Sequence, residues 1–285
     1  NIEVKAFPKA NFNSKFGQIL VWLRYVKLFN ISSHIIISSP SNSSFNFIVG
    51  IKSYRFIHSE IDQFYGRKFF ERFGKKNYLA ASHYLYKKLI VSGISKEKCS
   101  LLVNIPEKNS SIETKKNRRV NRVITAAQFS QYRLNELWLT VANRITQSHP
   151  DWEFHWFGAD KKQKTENANV FIHEFEPKIS QMLGNYDIYL NLTKFETHGL
   201  SVLEAMSWGL PVITSEVGNM KNLIENNRDG VLVQNDYRNV YDAIENLIRN
   251  AELRIRVGEE AQRKYLTLRK DYNFQKQVNA IFNIS

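Results

Sequence analysis

Glu196 and Glu204 are the residues whose type and spacing point most clearly to chemistry, because they stand eight residues apart around a glycine. Glu196 follows a short apolar run in a polar loop, and a helix is predicted to begin near Gly199. The backbone amides of Gly199, Leu200 and Ser201 are then expected to be free at the helix N-terminus, where they can bind a phosphate. The neighbouring carboxylates can accept hydrogen bonds from sugar or ribose hydroxyls. The spacing alone also fits a solvated loop residue at Glu196 and a helix-dipole partner at Glu204.

Short apolar runs and helical patterns alternate along the chain, and these elements must position the two carboxylates. Strands are predicted at residues 34–38, 54–58, 77–81, 99–103, 122–127, 152–157, 170–172, 187–191, 211–214 and 230–233. Helices are predicted at about residues 14–29, 64–74, 83–92, 134–148, 177–185, 200–208, 218–226, 236–249 and 252–284. Strands that alternate with helices form right-handed βαβ units, so the pattern predicts an α/β protein with parallel sheets and helices on both faces.

The length of 285 residues and a polar stretch at residues 106–119 indicate two domains. We predict an N-terminal domain over residues 1–115 and a C-terminal domain over residues 116–285, each doubly wound and Rossmann-like. Ligands of such sheets bind beyond the carboxyl ends of the strands, which places the expected site in a cleft between the domains. The N-terminal domain is short for this architecture, which leaves open that the chain is a fragment.

Three segments resemble the retaining glycosyltransferases of family 4, whose fold is called GT-B. The first is FETHGLSVLEAMSWGLPVITS, which resembles the E-x7-E signature of that family. The second is VITAAQFSQYRLNELWLTVANRITQSHPDWEFHWFG, which is similar to the opening of the family's donor domain. The third is YLAASHYLYKKLIVSGISKEKCSLLVNIPE, which is similar to the last strand-helix-strand unit of the acceptor domain. The resemblance covers most of the chain from about residue 34 onward and implies two Rossmann-like domains.

The resemblance also implies roles for the residues singled out above. Glu196 would hold hydroxyls of the transferred sugar, Glu204 would bind the nucleotide ribose, and the backbone from Gly199 to Ser201 would receive the diphosphate. His58, at the end of the strand YRFIH, would reach the donor sugar from the acceptor side of the cleft. As a lone histidine, His58 is equally compatible with a structural role.

A diphosphate clamp is the feature in which this sequence departs from the family pattern. The family has a Gly-Arg pair after the first donor-domain strand and a Lys five residues after that Arg, whereas this chain has Ala127, Gln128 and Arg133. A leaving nucleoside diphosphate gains negative charge, so the guanidinium of Arg133 fits the need for a cation there, and the loss of the other cation is a material change. Arg133 is also compatible with a solvated position at a helix start. Gly158 and Phe175 are candidates for contacts with the nucleoside base.

Several function classes lose support from the sequence. Cys99 is the single cysteine, so an internal disulfide and a cysteine-based zinc site are excluded, and a reducing compartment is expected. No Asp-x-Asp triplet occurs, which predicts a metal-independent enzyme without a cofactor, the nucleotide sugar being a substrate. The sequence has no GxGxxG, no P-loop, no HExxH and no GxSxG. No apolar run reaches the eighteen residues that a transmembrane helix needs.

Basic residues are concentrated in the first part of the chain. Residues 1–115 contain 18 Lys and Arg against 7 Asp and Glu, and the whole chain has a net charge of +13. Residues 64–76 interleave five aromatic residues with five cations, and residues 15–29 form a second apolar and basic segment. Such segments can lie on an anionic membrane surface, although ordinary helices with a solvated basic face explain them equally well. A nucleic-acid partner is not favoured, because the basic segments lie apart from the E-x7-E segment and no RNA- or DNA-binding pattern is present.

These observations predict a retaining glycosyltransferase that moves a sugar from a nucleotide-diphosphate sugar to a glycan or lipid-linked acceptor. We expect cell-surface polysaccharide biosynthesis, in the cytoplasm and at the inner face of the membrane. The alternative is a non-catalytic GT-B protein that binds a glycan or forms a complex, for which the change at Gln128 is the best support. A GT-B epimerase or phosphorylase would need an additional acid/base constellation, which the sequence does not offer.

Overall fold

The structure is a computed structural model that describes residues 35–38, 52–57, 77–107 and 121–282, and these form two parallel β-sheets. The first sheet has four strands, which lie side by side in chain order. They are β1 (Ile35–Ser38), β2 (Lys52–Ile57), β3 (Asn77–Ala80) and β4 (Cys99–Leu101). Parallel pairing needs long crossover connections, and a helix at residues 83–91 supplies the one between β3 and β4.

The second sheet has six parallel strands in the order β10-β9-β8-β5-β6-β7. They are β5 (Arg122–Ala126), β6 (Glu153–Ala159), β7 (Val170–Glu174), β8 (Ile188–Asn191), β9 (Val212–Ser215) and β10 (Val231–Val233). This is the doubly wound order. The first strand, β5, lies inside the sheet, β6 and β7 are added on one side of it, and β8, β9 and β10 are then added on the other side. The direction in which strands are added therefore reverses between β5 and β8. The carboxyl ends of β5 and β8 are therefore where a crevice is expected.

The helices lie between and after the strands. They are α1 (His83–Val91), α2 (Asn135–Ser148), α3 (Ile179–Met182), α4 (Leu200–Ser207), α5 (Met220–Leu223), α6 (Tyr237–Arg249), α7 (Ala251–Asp271) and α8 (Phe274–Phe282). Short 3₁₀ turns occupy Lys96–Lys98, Gln131–Arg133 and Leu183–Asn185. Each of the ten predicted strands is present with its ends shifted by a few residues. The predicted helices at 14–29 and 64–74 lie outside the described residues.

Two helix predictions are wrong in extent. The segment 252–284, predicted as one helix, is two helices separated at Tyr272 and Asn273, because the Asn273 side chain accepts from the Lys276 amide at 3.0 Å and caps a new helix. The segment 218–226 is helical only over α5, because Ile224 is extended with φ −107° and ψ 128°, and a separate turn follows in which Asp229 accepts from the Glu225 amide at 2.8 Å.

Hydrophobic clusters cover both faces of the second sheet and fix its strands. On one face α2 and α6 pack against Ile188 and Leu190, with Trp138 and Ile244 fully buried. On the other face α4 and α7 pack around Tyr189. A strand buried on both sides is held rigidly, so the loop that follows β8 starts from a fixed position.

The end of the chain returns to the first sheet. Apolar side chains of α8 pack on Leu79 and Leu102, and Gln277 exchanges hydrogen bonds with Val103 at 2.9 and 3.0 Å. The Tyr265 hydroxyl of α7 donates to the Pro106 carbonyl at 2.7 Å. The C-terminal segment thus contacts both halves of the chain. The boundary predicted at residue 115 falls among residues outside the described ranges and stays a prediction.

Candidate functional site

Two adjoining cavities lie at the carboxyl ends of β5 and β8. The first, which we call the strand-end cleft, has a volume of about 570 Å³ and includes Gln128, Gly158, Phe175 and Glu204 in its lining. The second, which we call the inter-sheet cleft, is lined by residues of both sheets, including Phe56, Asn104, Arg133 and Glu196. Ala126 and Ser201 line both cavities, so the two are continuous. A ligand at the switch point of the second sheet can therefore extend toward the first sheet.

Arg133 and Glu196 meet in the inter-sheet cleft. Arg133 ends a 3₁₀ turn before α2, and its Nη1 donates to Glu196 Oε2 at 2.9 Å and to Asn191 Oδ1 at 3.3 Å. The turn is attached to the loop after β8, because the Lys194 amide donates to the Tyr132 carbonyl at 2.9 Å. The side chains of Arg133 and Glu196 are 29% and 12% exposed, so this cation and carboxylate form a partly buried pair at the cleft wall.

Glu196 also caps the turn that precedes α4. Its Oε1 accepts from the amides of Thr197, His198 and Gly199 at 3.1, 3.4 and 3.2 Å. The prediction that the Gly199 amide is free is therefore wrong, because a carboxylate just before a helix serves as the anion for that helix N-terminus. The amides of Leu200 and Ser201 in the first turn of α4 have no acceptor among the described residues.

The loop between β9 and α5 holds the backbone around Glu196 by hydrogen bonds. The Asn219 amide donates to the Glu196 carbonyl at 2.8 Å, and Asn219 Nδ2 donates to the His198 carbonyl at 2.9 Å. Gly218 has φ +51°, and a Cβ at that position would collide with the Glu196 carbonyl. This close approach requires glycine and fixes the backbone of the catalytic candidate.

Gln128 and Gly158 lie where β5 and β6 end. Gly158 has φ +126°, and a Cβ there would collide with the Ala127 carbonyl oxygen. The Phe129 amide donates to the Gly158 carbonyl at 3.0 Å, and Trp156 Nε1 donates to the Ala127 carbonyl at 2.7 Å. Gly158 thus permits the close approach of the Ala127 backbone. Gln128, the next residue along the chain, lies in the lining of the strand-end cleft.

Glu204 and Ser201 reach the strand-end cleft from α4. Burial raises the pKa of the Glu204 carboxyl above its ordinary value. Ser201 interacts with the buried Tyr189 hydroxyl, which also donates to the Ala126 carbonyl at 3.3 Å, and burial raises the pKa of Tyr189 to about 12. Glu204 is thus a half-buried carboxyl in the lining of the cleft, where a hydroxyl donor would satisfy it.

The rim of the strand-end cleft carries residues that the sequence analysis missed. Phe175, a predicted base contact, is 74% exposed at this rim. Asp160, Glu174 and Glu176 lie beside it, so the charged side chains in the lining of this cleft are all carboxylates. Their signal in the sequence is weak, since Glu174 ends β7, Asp160 and Glu176 follow β6 and β7 in loops, and none of the three belongs to a motif.

His58 lies outside the described residues, whereas His198 proves to belong to the inter-sheet cleft. His198 is buried, and its Nε2 lies 2.8 Å from the Asn104 carbonyl oxygen. Burial lowers the pKa of His198, although the hydrogen bond to Asn104, the charge of Glu196 and the Ala81 backbone act in the opposite direction. The contact joins residues 94 positions apart, so no local pattern could have indicated it.

The described residues include no group of three or more His, Cys, Asp or Glu side chains that could hold a metal ion. In that same part of the chain no helix is long and apolar enough to cross a membrane. What the site offers is a guanidinium paired with a carboxylate, two helix N-terminal amides and a half-buried carboxyl, all at the switch point of a doubly wound sheet. Such a set can bind a phosphorylated, hydroxyl-rich ligand.

Two Rossmann-like sheets with a cleft at their strand ends define the GT-B class. Residues 121–250 match the family model described as "Glycosyl transferases group 1". Residues 121–250 are thus similar to the group 1 glycosyl transferases, which confirms the resemblance seen in the sequence.

Relatives and solved structures agree with this class. The chain is 30% identical over 103 residues to N-acetyl-alpha-D-glucosaminyl L-malate synthase of Bacillus anthracis, covering 36% of the chain and 27% of that protein. It is 25% identical over 138 residues to poly(ribitol-phosphate) alpha-N-acetylglucosaminyltransferase of Staphylococcus aureus, covering 45% of the chain and 28% of that protein. The chain thus spans well under half of the curated relatives' length.

A solved structure of S. aureus TarM, in complex with Fondaparinux, α-GlcNAc-glycerol and UDP, is similar to this chain with a TM-score of 0.77 and 18% identity. The similarity covers 94% of this chain and 58% of TarM. At this identity the likeness shows the fold, and it confirms the predicted α/β architecture of GT-B type.

Proposed function

We propose that this chain is a glycosyltransferase that moves a sugar from a nucleotide-diphosphate sugar to a hydroxyl of a glycan or lipid-linked acceptor. The observation that carries the proposal is the Arg133–Glu196 pair, 2.9 Å apart in the inter-sheet cleft, which is continuous with the strand-end cleft that holds Glu204. The family match of residues 121–250 supports the same activity.

In the proposed binding mode, the nucleoside diphosphate lies in the strand-end cleft and its sugar extends into the inter-sheet cleft. Glu204 accepts hydrogen bonds from the ribose, and the amides of Leu200 and Ser201 face the diphosphate. Arg133 exchanges part of its contact with Glu196 for a phosphate oxygen. Glu196, released from that pair, accepts from hydroxyls of the transferred sugar.

In the proposed reaction, the bond between the sugar's anomeric carbon and the β-phosphate oxygen breaks while the acceptor oxygen bonds to the same face of that carbon. Because the new bond forms on the face from which the phosphate departs, the anomeric configuration is retained, and the acceptor's proton passes to the departing phosphate oxygen. Negative charge grows on the diphosphate during this step, and a cation and amide dipoles that are already in place lower the barrier. This route forms no covalent bond between the sugar and the protein, so it needs no nucleophilic side chain.

A UDP-activated N-acetylhexosamine is the donor that we propose to test first. The names of the two curated relatives described above both contain the N-acetylglucosaminyl group. The similar TarM structure contains UDP. The name of the S. aureus relative gives poly(ribitol-phosphate) as the polymer it modifies, and such a polymeric acceptor supports a role in surface polysaccharide synthesis. The predicted membrane contact through residues 64–76 lies outside the described residues and remains part of the proposal.

A second candidate is a non-catalytic GT-B subunit that binds a glycan or a partner protein. Gln128 stands where the family resemblance expects an arginine, and the strand-end cleft contains four carboxylates in its lining. Both features weaken the attraction for a diphosphate. This candidate predicts glycan binding without turnover of any nucleotide sugar.

The experiment is to incubate the chain with UDP-GlcNAc, UDP-glucose, GDP-mannose and ADP-glucose, with and without glycan acceptors, and to measure nucleotide release. We expect UDP release from one UDP-sugar, an α-linked product by NMR from the α-linked donor, and loss of both in Glu196→Gln. Glycan binding with no release from any donor would favour the second candidate. A β-linked product would contradict retention.

A further inference from the structure

His198 stands in the middle of the turn between Glu196 and α4, where it is only 7% exposed. Its backbone is held by the second half of the chain, because its carbonyl accepts from Asn219 Nδ2 and its amide donates to Glu196 Oε1. Its side chain points the other way, toward the strand ends of the first sheet. One residue thus connects the two sheets at the centre of the site.

The contact on the first sheet is a hydrogen bond and not only packing. His198 Nε2 lies 2.8 Å from the Asn104 carbonyl oxygen, just beyond β4. A carbonyl is solely an acceptor, so Nε2 carries the proton and donates. The Ala81 backbone, just beyond β3, also interacts with the ring.

A second polar contact joins the same turn to the first sheet. The buried Ser82 hydroxyl, at the N-cap of α1, donates to the Thr197 carbonyl at 2.5 Å. Thr197 and His198 are consecutive, so both residues between Glu196 and Gly199 are bound to elements of the first sheet. The position of the Glu196 carboxylate is then set by both halves of the chain.

We propose that His198 is a positioning residue, whose Nε2–H donated to the Asn104 carbonyl orients the Glu196 turn relative to the acceptor side of the cleft. This inference rests on the proposed glycosyl transfer. Loss of the hydrogen bond lets the turn rotate, which moves Glu196 away from Arg133 and from the sugar. Glu204 and the rest of the strand-end cleft keep their contacts with the nucleotide, so nucleotide binding is affected less than transfer.

The structure also indicates how to separate this role from simple filling of space. Phenylalanine fills a similar volume but has no donor, whereas the Nε2 of glutamine can occupy a place close to that of histidine Nε2. His83 offers a matched control, since its Nε2 pairs with the Tyr272 hydroxyl at 2.7 Å but it is exposed and away from both clefts.

The experiment compares His198→Phe, His198→Gln and His83→Phe in steady-state transfer with UDP-sugar. We expect His198→Phe to lower kcat about tenfold or more, with the donor KM changed less than about threefold. His198→Gln should recover most of kcat, and His83→Phe should match the wild type. Equal losses in His198→Phe and His198→Gln, or an unchanged kcat in His198→Phe, would overturn the proposal.

Hydrogen exchange by mass spectrometry tests the positioning without any turnover. We expect faster amide exchange over residues 197–201 in His198→Phe than in the wild type and in His198→Gln. Unchanged exchange would overturn the proposal even if transfer is observed. If the wild type transfers no sugar while the exchange result holds, the proposed function fails and the link between the two sheets stands. Should His198→Phe not fold, His198→Leu serves in its place.

Discussion

The guanidinium of Arg133 lies 2.9 Å from the carboxylate of Glu196, and the other oxygen of that carboxylate accepts from the amides at the start of α4. One side chain therefore occupies the Arg133 cation and the Gly199 amide, while the Leu200 and Ser201 amides have no acceptor among the described residues. In the proposed binding mode, a nucleotide sugar competes with Glu196 for Arg133, and its binding releases the carboxylate for the sugar hydroxyls.

Glu196→Gln tests this competition. We expect kcat to fall by about 100-fold or more, because a group that acts in the transition state is lost. The affinity for UDP should stay within about threefold of the wild type or increase, since the neutral amide competes less for Arg133. Transfer kinetics and calorimetric titration with UDP measure the two effects.

Glu259→Gln on the exposed surface of α7 is the matched control for that substitution and should leave both quantities unchanged. A Glu196→Gln variant that keeps more than half of the wild-type kcat would remove Glu196 from the reaction.

Gln128→Arg tests the missing cation of the diphosphate clamp. Gln128 faces the strand-end cleft, so an arginine at this position can reach a phosphate bound there. A charged hydrogen bond contributes about 1.5–3 kcal/mol, so we expect UDP to bind about tenfold more tightly or better. Calorimetry gives the affinity, and Gln128→Met controls for side-chain length. Equal UDP affinity in Gln128→Arg and Gln128→Met would place the diphosphate elsewhere.

Gly158→Ala tests the close approach between the ends of β5 and β6. Gly158 and Gly93 both have positive φ, at +126° and +96°, but only a Cβ at Gly158 would meet other atoms. Both substitutions incur a backbone cost of about 1–3 kcal/mol, and Gly158→Ala adds a collision with Ala127. We expect Gly158→Ala to lower the free energy of unfolding by at least about 1 kcal/mol more than Gly93→Ala. Urea unfolding measures the difference, and equal losses would show that the approach is not required.

Glu204 gives the stability of the protein a pH dependence. Burial raises the pKa of its carboxyl, so the folded state binds its proton more tightly than the unfolded state does. The stabilisation from this group is complete below the unfolded pKa of about 4.3 and is lost as pH rises through the raised folded value. Glu204→Gln should therefore gain stability relative to the wild type between pH 4 and pH 7. Urea unfolding at both pH values measures this gain, and a difference that does not change with pH would contradict the buried position of Glu204.

The strands and the two carboxylates were predictable because their signals are local. Each strand is a short apolar run in the sequence. In a strand such as β8, which is buried on both faces, the apolar residues follow one another without alternating with polar ones. The spacing from Glu196 to Glu204 spans one loop and the first turns of one helix, so both side chains were expected near its N-terminus. The structure places Glu196 and Glu204 in the linings of the two adjoining cavities.

The features that the sequence did not predict depend on contacts between distant residues or on the conformation of a single side chain. Nothing in the segment around Glu196 shows that its carboxylate folds back onto the Gly199 amide. The partners of His198 lie in the first sheet, so that role follows only from the packing of the two sheets. The break at Tyr272 had a local signal, Asn273, which is a favourable N-cap residue, but the helical pattern on both sides obscured it.

Calorimetric titration of UDP into the wild type, Glu204→Ala and Glu196→Ala is the most direct test of the claim that the strand-end cleft binds the nucleotide of the donor. We predict measurable binding to the wild type, an affinity at least about tenfold weaker in Glu204→Ala, and an affinity in Glu196→Ala that stays within about threefold of the wild type or increases. Identical affinities in all three proteins would contradict the claim.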